Sequence, residues 1–109
     1  MTIDLFSLKG KTAIITGGGS GIGQAISLAL VSVGCEILIV GRNIDKLKTT
    51  KKLIYNKYNV EIYYIQSDLT QLDKIPYLAK TILSKLKKVN ILVNCAGINP
   101  RKHDNDMTI

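Results

Sequence analysis

Cysteine, histidine and arginine are scarce in this chain, and each scarcity removes a class of function. There are two cysteines, Cys35 and Cys95, far apart and each beside an apolar run, and one histidine, His103. No Cys-x-x-Cys pair and no Cys/His cluster exists, so neither a zinc site nor a disulfide framework is indicated. Two buried free thiols in a reducing cytosol are the expectation. His103 has no triad around it and reads as an exposed tail residue. Acids are also few: Asp and Glu total 8 against 15 Lys and Arg, leaving a net charge of +7. Arginine, however, occurs only as Arg42 and Arg101. The lysines gather in two groups, Lys46, Lys48, Lys51, Lys52 and Lys57, then Lys74, Lys80, Lys85, Lys87 and Lys88. Both groups fall on segments with helical patterning, where a solvated outer face is expected. A nucleic-acid surface adds aromatic or arginine contacts to such a field, so nucleic acid is not expected as a partner.

Long apolar runs are missing too. Serine or glycine interrupts every stretch well short of a membrane span. The opening MTIDLFSLKGK carries an early acid and lacks the charged start and apolar run of a secretory signal. The expectation is a cytoplasmic protein with no membrane partner. Hydrophobic residues make up 46% and charged residues 21% of 109 residues, which suits one folded domain, 1–109, with a single core.

Against these absences stands a local excess of glycine. Residues 16–23 read TGGGSGIG, directly after an apolar run and directly before a helical one. Glycine is costly to order, so this crowding marks backbone that must pass where side chains cannot go. Lys11–Thr16 reads as a buried strand, and Ile22, Ala25, Ile26, Ala29, Leu30 and Val33 recur at helical spacing as one apolar stripe. Gly34 stops that helix as a C′ residue. Glu36–Val40 is a second strand, closed by Gly41. A lysine-rich helix runs from Ile44 to about Tyr58, with Leu47, Leu53 and Ile54 facing inward, and Val60–Gln66 is a third strand. Thr70 and Asp73 resemble a capping box for the next helix, whose apolar positions are Ile75, Leu78, Ala79, Ile82, Leu83 and Leu86. Pro76 belongs in its first turn or kinks it. Val89–Asn94 is the fourth strand, and the tail after Pro100 is polar and aperiodic. Strands alternating with helices, and apolar on both faces, imply a parallel sheet covered on each side.

At the first strand-to-helix turn of such a sheet, unpaired N–H groups and the helix dipole form an anion site suited to a pyrophosphate. A P-loop is excluded: counted from Gly18, its Lys slot holds Gln24 and its Ser/Thr slot Ala25. The generic G-x-G-x-x-G register fails as well. The stretch matches T-G-x-x-x-G-I-G instead.

These residues resemble the short-chain dehydrogenase/reductase family over the whole chain. Its phosphate turn matches Thr16, Gly17, Gly21, Ile22 and Gly23, with Gly19 and Ser20 inside the turn. Its adenine-contacting Asp-Leu pair matches Asp68-Leu69. Its N-N-A-G element matches Asn94, Ala96 and Gly97, with Cys95 in place of the second asparagine. Cysteine fills similar volume but lacks the amide's hydrogen bonds. The resemblance implies an α/β Rossmann-type doubly wound parallel sheet, here its N-terminal half β-α-β-α-β-α-β. It also implies an NAD(P)-dependent oxidoreductase interconverting small-molecule carbonyls and alcohols, with sugar-acid or 3-oxoacyl branches the most similar, and a homo-oligomer for the full-length protein.

Cofactor choice is read from the end of the second strand. An NAD site carries an acid there to hold the ribose hydroxyls. Here Gly41 takes the slot, followed by Arg42, whose guanidinium can hold a 2′-phosphate through charge-assisted bonds. Asn43 then caps the helix. NADP is therefore expected over NAD. The family's catalytic Tyr-x-x-x-Lys is not among the 109 residues: no tyrosine has lysine four positions on. The chain is thus expected to be the cofactor-binding part of a longer reductase, with no catalytic residue and an open edge on its fourth strand. The alternatives are a non-catalytic dinucleotide-binding module and a basic interaction domain binding another phosphate.

Overall fold

The computed structural model describes residues 7–68, 75–86 and 88–95. Seven elements follow one another: β1 (Thr12–Thr16), α1 (Gly21–Ser32), β2 (Glu36–Gly41), α2 (Ile44–Tyr58), β3 (Tyr63–Gln66), α3 (Ile75–Lys85) and β4 (Ile91–Asn94). The strands form one sheet in the order β3-β2-β1-β4, every pair parallel. This is the Rossmann-type alternation expected from the sequence. The Thr70–Asp73 capping box and the tail with His103 lie outside the described residues.

The strands sort their side chains by alternation. Ala13 and Ile15 of β1 with Ile37 and Ile39 of β2 face α1 and α2, meeting Val31, Leu47 and Ile54. Ile14, Leu38 and Val40 point the other way and meet Leu78 and Leu86. Both faces of β1 and β2 are thereby buried, which explains their near-continuous apolar runs.

Helix ends follow local chemistry. Ser20 caps α1, its Oγ accepting from the Gly23 N–H at 3.0 Å. At the other end the Gly34 N–H donates to the Val31 carbonyl and the Cys35 N–H to Leu30, with Gly34 at φ +94°, as a glycine stop requires. Asn43 caps α2 by accepting from the Lys46 N–H at 3.1 Å. Asn59 ends α2 in the left-handed region at φ 56°. Pro76 occupies the first turn of α3, where its missing N–H costs nothing.

Four expectations need correction. The buried line of α1 is Gly23, Ser27 and Val31, spaced by four, not the stripe read from its larger apolar residues. Ile22 is 50% exposed, Ala25 and Ala29 are exposed, and Ile26, Leu30 and Val33 are half-buried. Small residues win that line because the helix start lies against the β1 turn, and the buried Ser27 hydroxyl is satisfied by donating to the Gly23 carbonyl at 2.7 Å. In α2 the third inward residue is Thr50, while Leu53 is 39% exposed. β3 begins at Tyr63 and not Val60, because the chain leaving Asn59 must first cross from α2 to the sheet, anchored by buried Ile62. β4 begins at Ile91: the Asn90 side chain takes the place of a ladder partner, its Oδ1 accepting from the Thr12 N–H at 3.0 Å.

Candidate dinucleotide site at the strand ends

The described residues among those singled out from the sequence lie at or just beyond the carboxyl ends of the four strands. Bonds between neighbouring strand ends hold this rim together. The Thr16 hydroxyl donates to Asn94 Oδ1 at 2.8 Å, and the Cys95 N–H donates to the Thr16 carbonyl at 2.9 Å, joining β1 to β4. The Ser67 N–H donates to the Gly41 carbonyl at 2.8 Å and Gln66 Nε2 to the Arg42 carbonyl at 3.0 Å, joining β3 to β2. Asp68 follows directly, half-buried. Leu69, Ala96 and Gly97 lie outside the described residues.

Each glycine of the turn between β1 and α1 has a separate reason. Gly17 adopts φ +74°, a conformation that side chains disfavour. A Cβ on Gly18 would meet the Ile39 Cβ at 2.4 Å, and one on Gly23 would meet the Gly17 carbonyl oxygen at 2.1 Å. A Cβ on Gly19 would lie 2.9 Å from the Lys46 Cβ. Gly21 differs, since nothing lies within 4 Å of its Cβ position. Backbone conformation demands glycine at Gly17, and packing demands it at Gly18, Gly19 and Gly23. At Gly21 only clearance on the outer side remains as a reason.

The turn is tied down from the sheet. The Gly17 and Gly18 N–H groups both donate to the Val40 carbonyl, at 2.7 and 3.1 Å. The Ser20 N–H and its hydroxyl both donate to the Gly17 carbonyl, at 3.0 and 2.6 Å. No acceptor is found among the described residues for the N–H groups of Gly19, Gly21 and Ile22. Three such donors at the positive end of a twelve-residue helix are suited to receive an anion. Next to them the end of β2 carries no acid: Gly41 is followed by exposed Arg42 and by the helix-capping Asn43.

The two thiols are free and buried, as expected. Cys95 packs in the α1/α2-side cluster with Ala13 and Ile15, so it serves there as a small apolar side chain. Burial pushes the Cys35 thiol pKa up, with the Glu36 carboxylate adding to the effect. Sequence reasoning missed Gly18, Gln24 and Thr50, whose packing and bonds order the turn. Thr50 was hidden by its lysine-rich surroundings, and Gln24 was weighed only as a failed P-loop lysine.

A glycine turn presenting free amides at the first helix, on the carboxyl edge of a parallel sheet, defines a dinucleotide-binding fold of the Rossmann type. The comparisons with known proteins agree: a family model, short chain dehydrogenase, matches residues 11–109, and the chain belongs to that family. It is 40% identical over 97 residues to the uncharacterized oxidoreductase YgcW of Escherichia coli, covering 89% of this chain and 36% of that protein. Among solved structures it is similar to L-sorbose reductase of Gluconobacter frateurii complexed with NADPH and L-sorbose (TM-score 0.80, 27% identity), covering 97% of this chain and 40% of the other. It is similar also to a metagenomic short-chain oxidoreductase in complex with NADP (TM-score 0.76, 32% identity), covering 84% and 41%. The chain thus spans well under half the length of these relatives. No helix among the described residues is long and apolar enough to cross a membrane.

Proposed function

We propose that this chain supplies the NADP-binding part of an oxidoreductase that interconverts carbonyls and alcohols. The observation that carries the reading is the set of unpartnered N–H groups on Gly19, Gly21 and Ile22 beside a β2 end with Arg42 in place of an acid. The cradle suits the pyrophosphate, with Ser20 holding the turn and Gly17 and Gly23 letting the backbone close. Arg42 and Asn43 receive the 2′-phosphate, Asp68 and Leu69 the adenine, and Asn94, Ala96 and Gly97 the ribose beyond it. When bound, NADPH supplies the hydride, while these residues bind and orient it. The NADPH and NADP complexes of the two similar structures support this choice of cofactor. The two buried free thiols suit a reducing cytosol.

The test is calorimetric titration of the purified chain with NADPH and with NADH. NADPH is expected to bind about tenfold or more tightly, as one charge-assisted contact implies. Arg42→Asp should reverse the preference. Tighter binding of NADH by the parent chain would falsify the Arg42 assignment. A second reading is a dinucleotide-binding module without catalysis; the 109 residues hold no Tyr-x-x-x-Lys pair. The purified chain is therefore expected to bind NADPH and to turn over no carbonyl substrate, as followed by NADPH absorbance.

A further inference from the structure

We propose that Thr50 of α2, with Gln24 of α1, is a positioning residue that aims the phosphate-binding amides of the glycine turn. The inference rests on the dinucleotide reading above. Thr50 is fully buried, so its hydroxyl must find partners inside the protein. It finds two. Its Oγ1 donates to the Gly18 carbonyl at 3.4 Å and accepts from Gln24 Nε2 at 3.1 Å.

Gly18 is consequently held from every side. Its N–H donates to the Val40 carbonyl of β2, Ile39 fills the space where its Cβ would be, and Thr50 takes its carbonyl. The peptide unit is planar and trans, so the Gly18 carbonyl and the Gly19 N–H lie antiparallel in one rigid plane. Holding the carbonyl toward α2 therefore aims the Gly19 N–H away from α2. That N–H has no acceptor among the described residues. A turn rich in glycine has many conformations to lose, and ordering it before the ligand arrives removes that cost from binding. Gln24 sits one residue beyond Gly23 in the helix whose N-terminus forms the cradle. Its amide N–H donates to the Thr50 hydroxyl, which keeps its own proton for the Gly18 carbonyl. The residue standing in a P-loop's lysine slot thus acts on the loop indirectly, through a neighbouring helix.

The predicted signature is selective. Thr50→Val keeps the volume and removes the hydroxyl. Its dissociation constant for NADPH should rise about tenfold, the loss expected when one buried hydrogen bond is broken. Adenosine 2′-monophosphate lacks the pyrophosphate and should bind Thr50→Val within about twofold of the parent, since its contacts lie elsewhere. Thr50→Ser, which restores the hydroxyl, should return NADPH affinity to within about threefold of the parent. Thr50→Val binding NADPH like the parent overturns the proposal, and so does an equal loss for both ligands, the mark of a general structural defect. If Thr50→Val does not fold, Gln24→Met removes the donor to Thr50 from a partly exposed position. It should weaken NADPH about threefold and spare adenosine 2′-monophosphate, and no change overturns the proposal. A parent chain that binds neither ligand overturns the dinucleotide reading and this inference together. A parent that binds both, with variants that bind NADPH equally well, overturns this inference alone.

Discussion

The two faces of the sheet are made by the same strands, yet among the described residues they are packed to different degrees. On the α1/α2 face, Ala13, Ile15, Ile37 and Ile39 meet Val31, Leu47, Ile54, Ile62 and Cys95 in one cluster, with half-buried residues such as Ile26, Leu30 and Tyr58 packed around it. On the α3 face, Ile14, Leu38 and Val40 meet Leu78 and Leu86, with Ile65 and Ile82 beside them. Further along that second side, apolar side chains stand in solvent: Leu92 of β4, aligned with Ile14, is 68% exposed, and Leu83 of α3 is 61% exposed. β4 is also the outer strand, with only β1 as partner among the described residues. The glycine turn belongs to the α1/α2 side. Its geometry depends on β2 and the inner line of α2, Leu47, Thr50 and Ile54, as much as on its own glycines. The difference teaches that, among the described residues, the glycine turn rests on the more completely packed face of the sheet.

Substitutions can break or sharpen that contrast. The largest effect is expected from Gly23→Ala, whose Cβ would sit 2.1 Å from the Gly17 carbonyl oxygen. Turn and helix must then separate, and stability in a denaturant titration should fall by about 3 kcal/mol or more. Gly21→Ala is its counterpart. With open space around it and a better helix former in place, stability should hold or rise by up to about 1 kcal/mol. A loss of NADPH affinity in that variant accordingly reports on the ligand and not on the fold.

Next come leucines on either side of the divide. Leu38→Ala, at a fully buried position, should cost about 3 kcal/mol through lost transfer energy and a cavity. Leu92→Ala should cost less than about 0.5 kcal/mol, as an exposed substitution does. Equal losses would mean that something covers Leu92 in solution.

The smallest effect concerns pH. The Cys35 thiol has a folded pKa raised by burial and by Glu36. The unfolded chain therefore releases this proton first as pH rises. The contribution of the neutral thiol is fully present below the ordinary thiol value of about 8.5 and declines as pH climbs toward the folded pKa. Thermal unfolding above that pH should show the decline, and Cys35→Ala should remove it. A Cys35→Ala profile parallel to the parent's assigns the slope to other groups.

Much of this was legible in the sequence because it is set by near neighbours in the chain. The glycine turn, the serine and asparagine caps and the Gly34 stop each depend on residues a few positions apart, and α2 runs from Ile44 to Tyr58 as its pattern implied. What misled was apolar character taken as a proxy for burial. Ile22, Ala25 and Ala29 looked like a core stripe, but close approach to the Gly17 backbone gives the inner line to Gly23 and Ser27. Thr50 was overlooked for a related reason. A lone threonine among lysines carries no periodic signal, and its value appears only when Gly18 and Gln24 are brought to it from distant positions.

Composition and spacing by themselves determined the alternation of strands and helices, the family likeness, and which short stretch could receive a phosphate, since all of these are written in local backbone preference and apolar period. Tertiary structure alone decided which way the turn's amides face, which line of α1 lies inside, and which face of the sheet is the more closely packed among the described residues. Those outcomes depend on contacts between segments far apart in the chain, where a difference of one atom at Gly18 or Gly23 outweighs any propensity of the residues themselves.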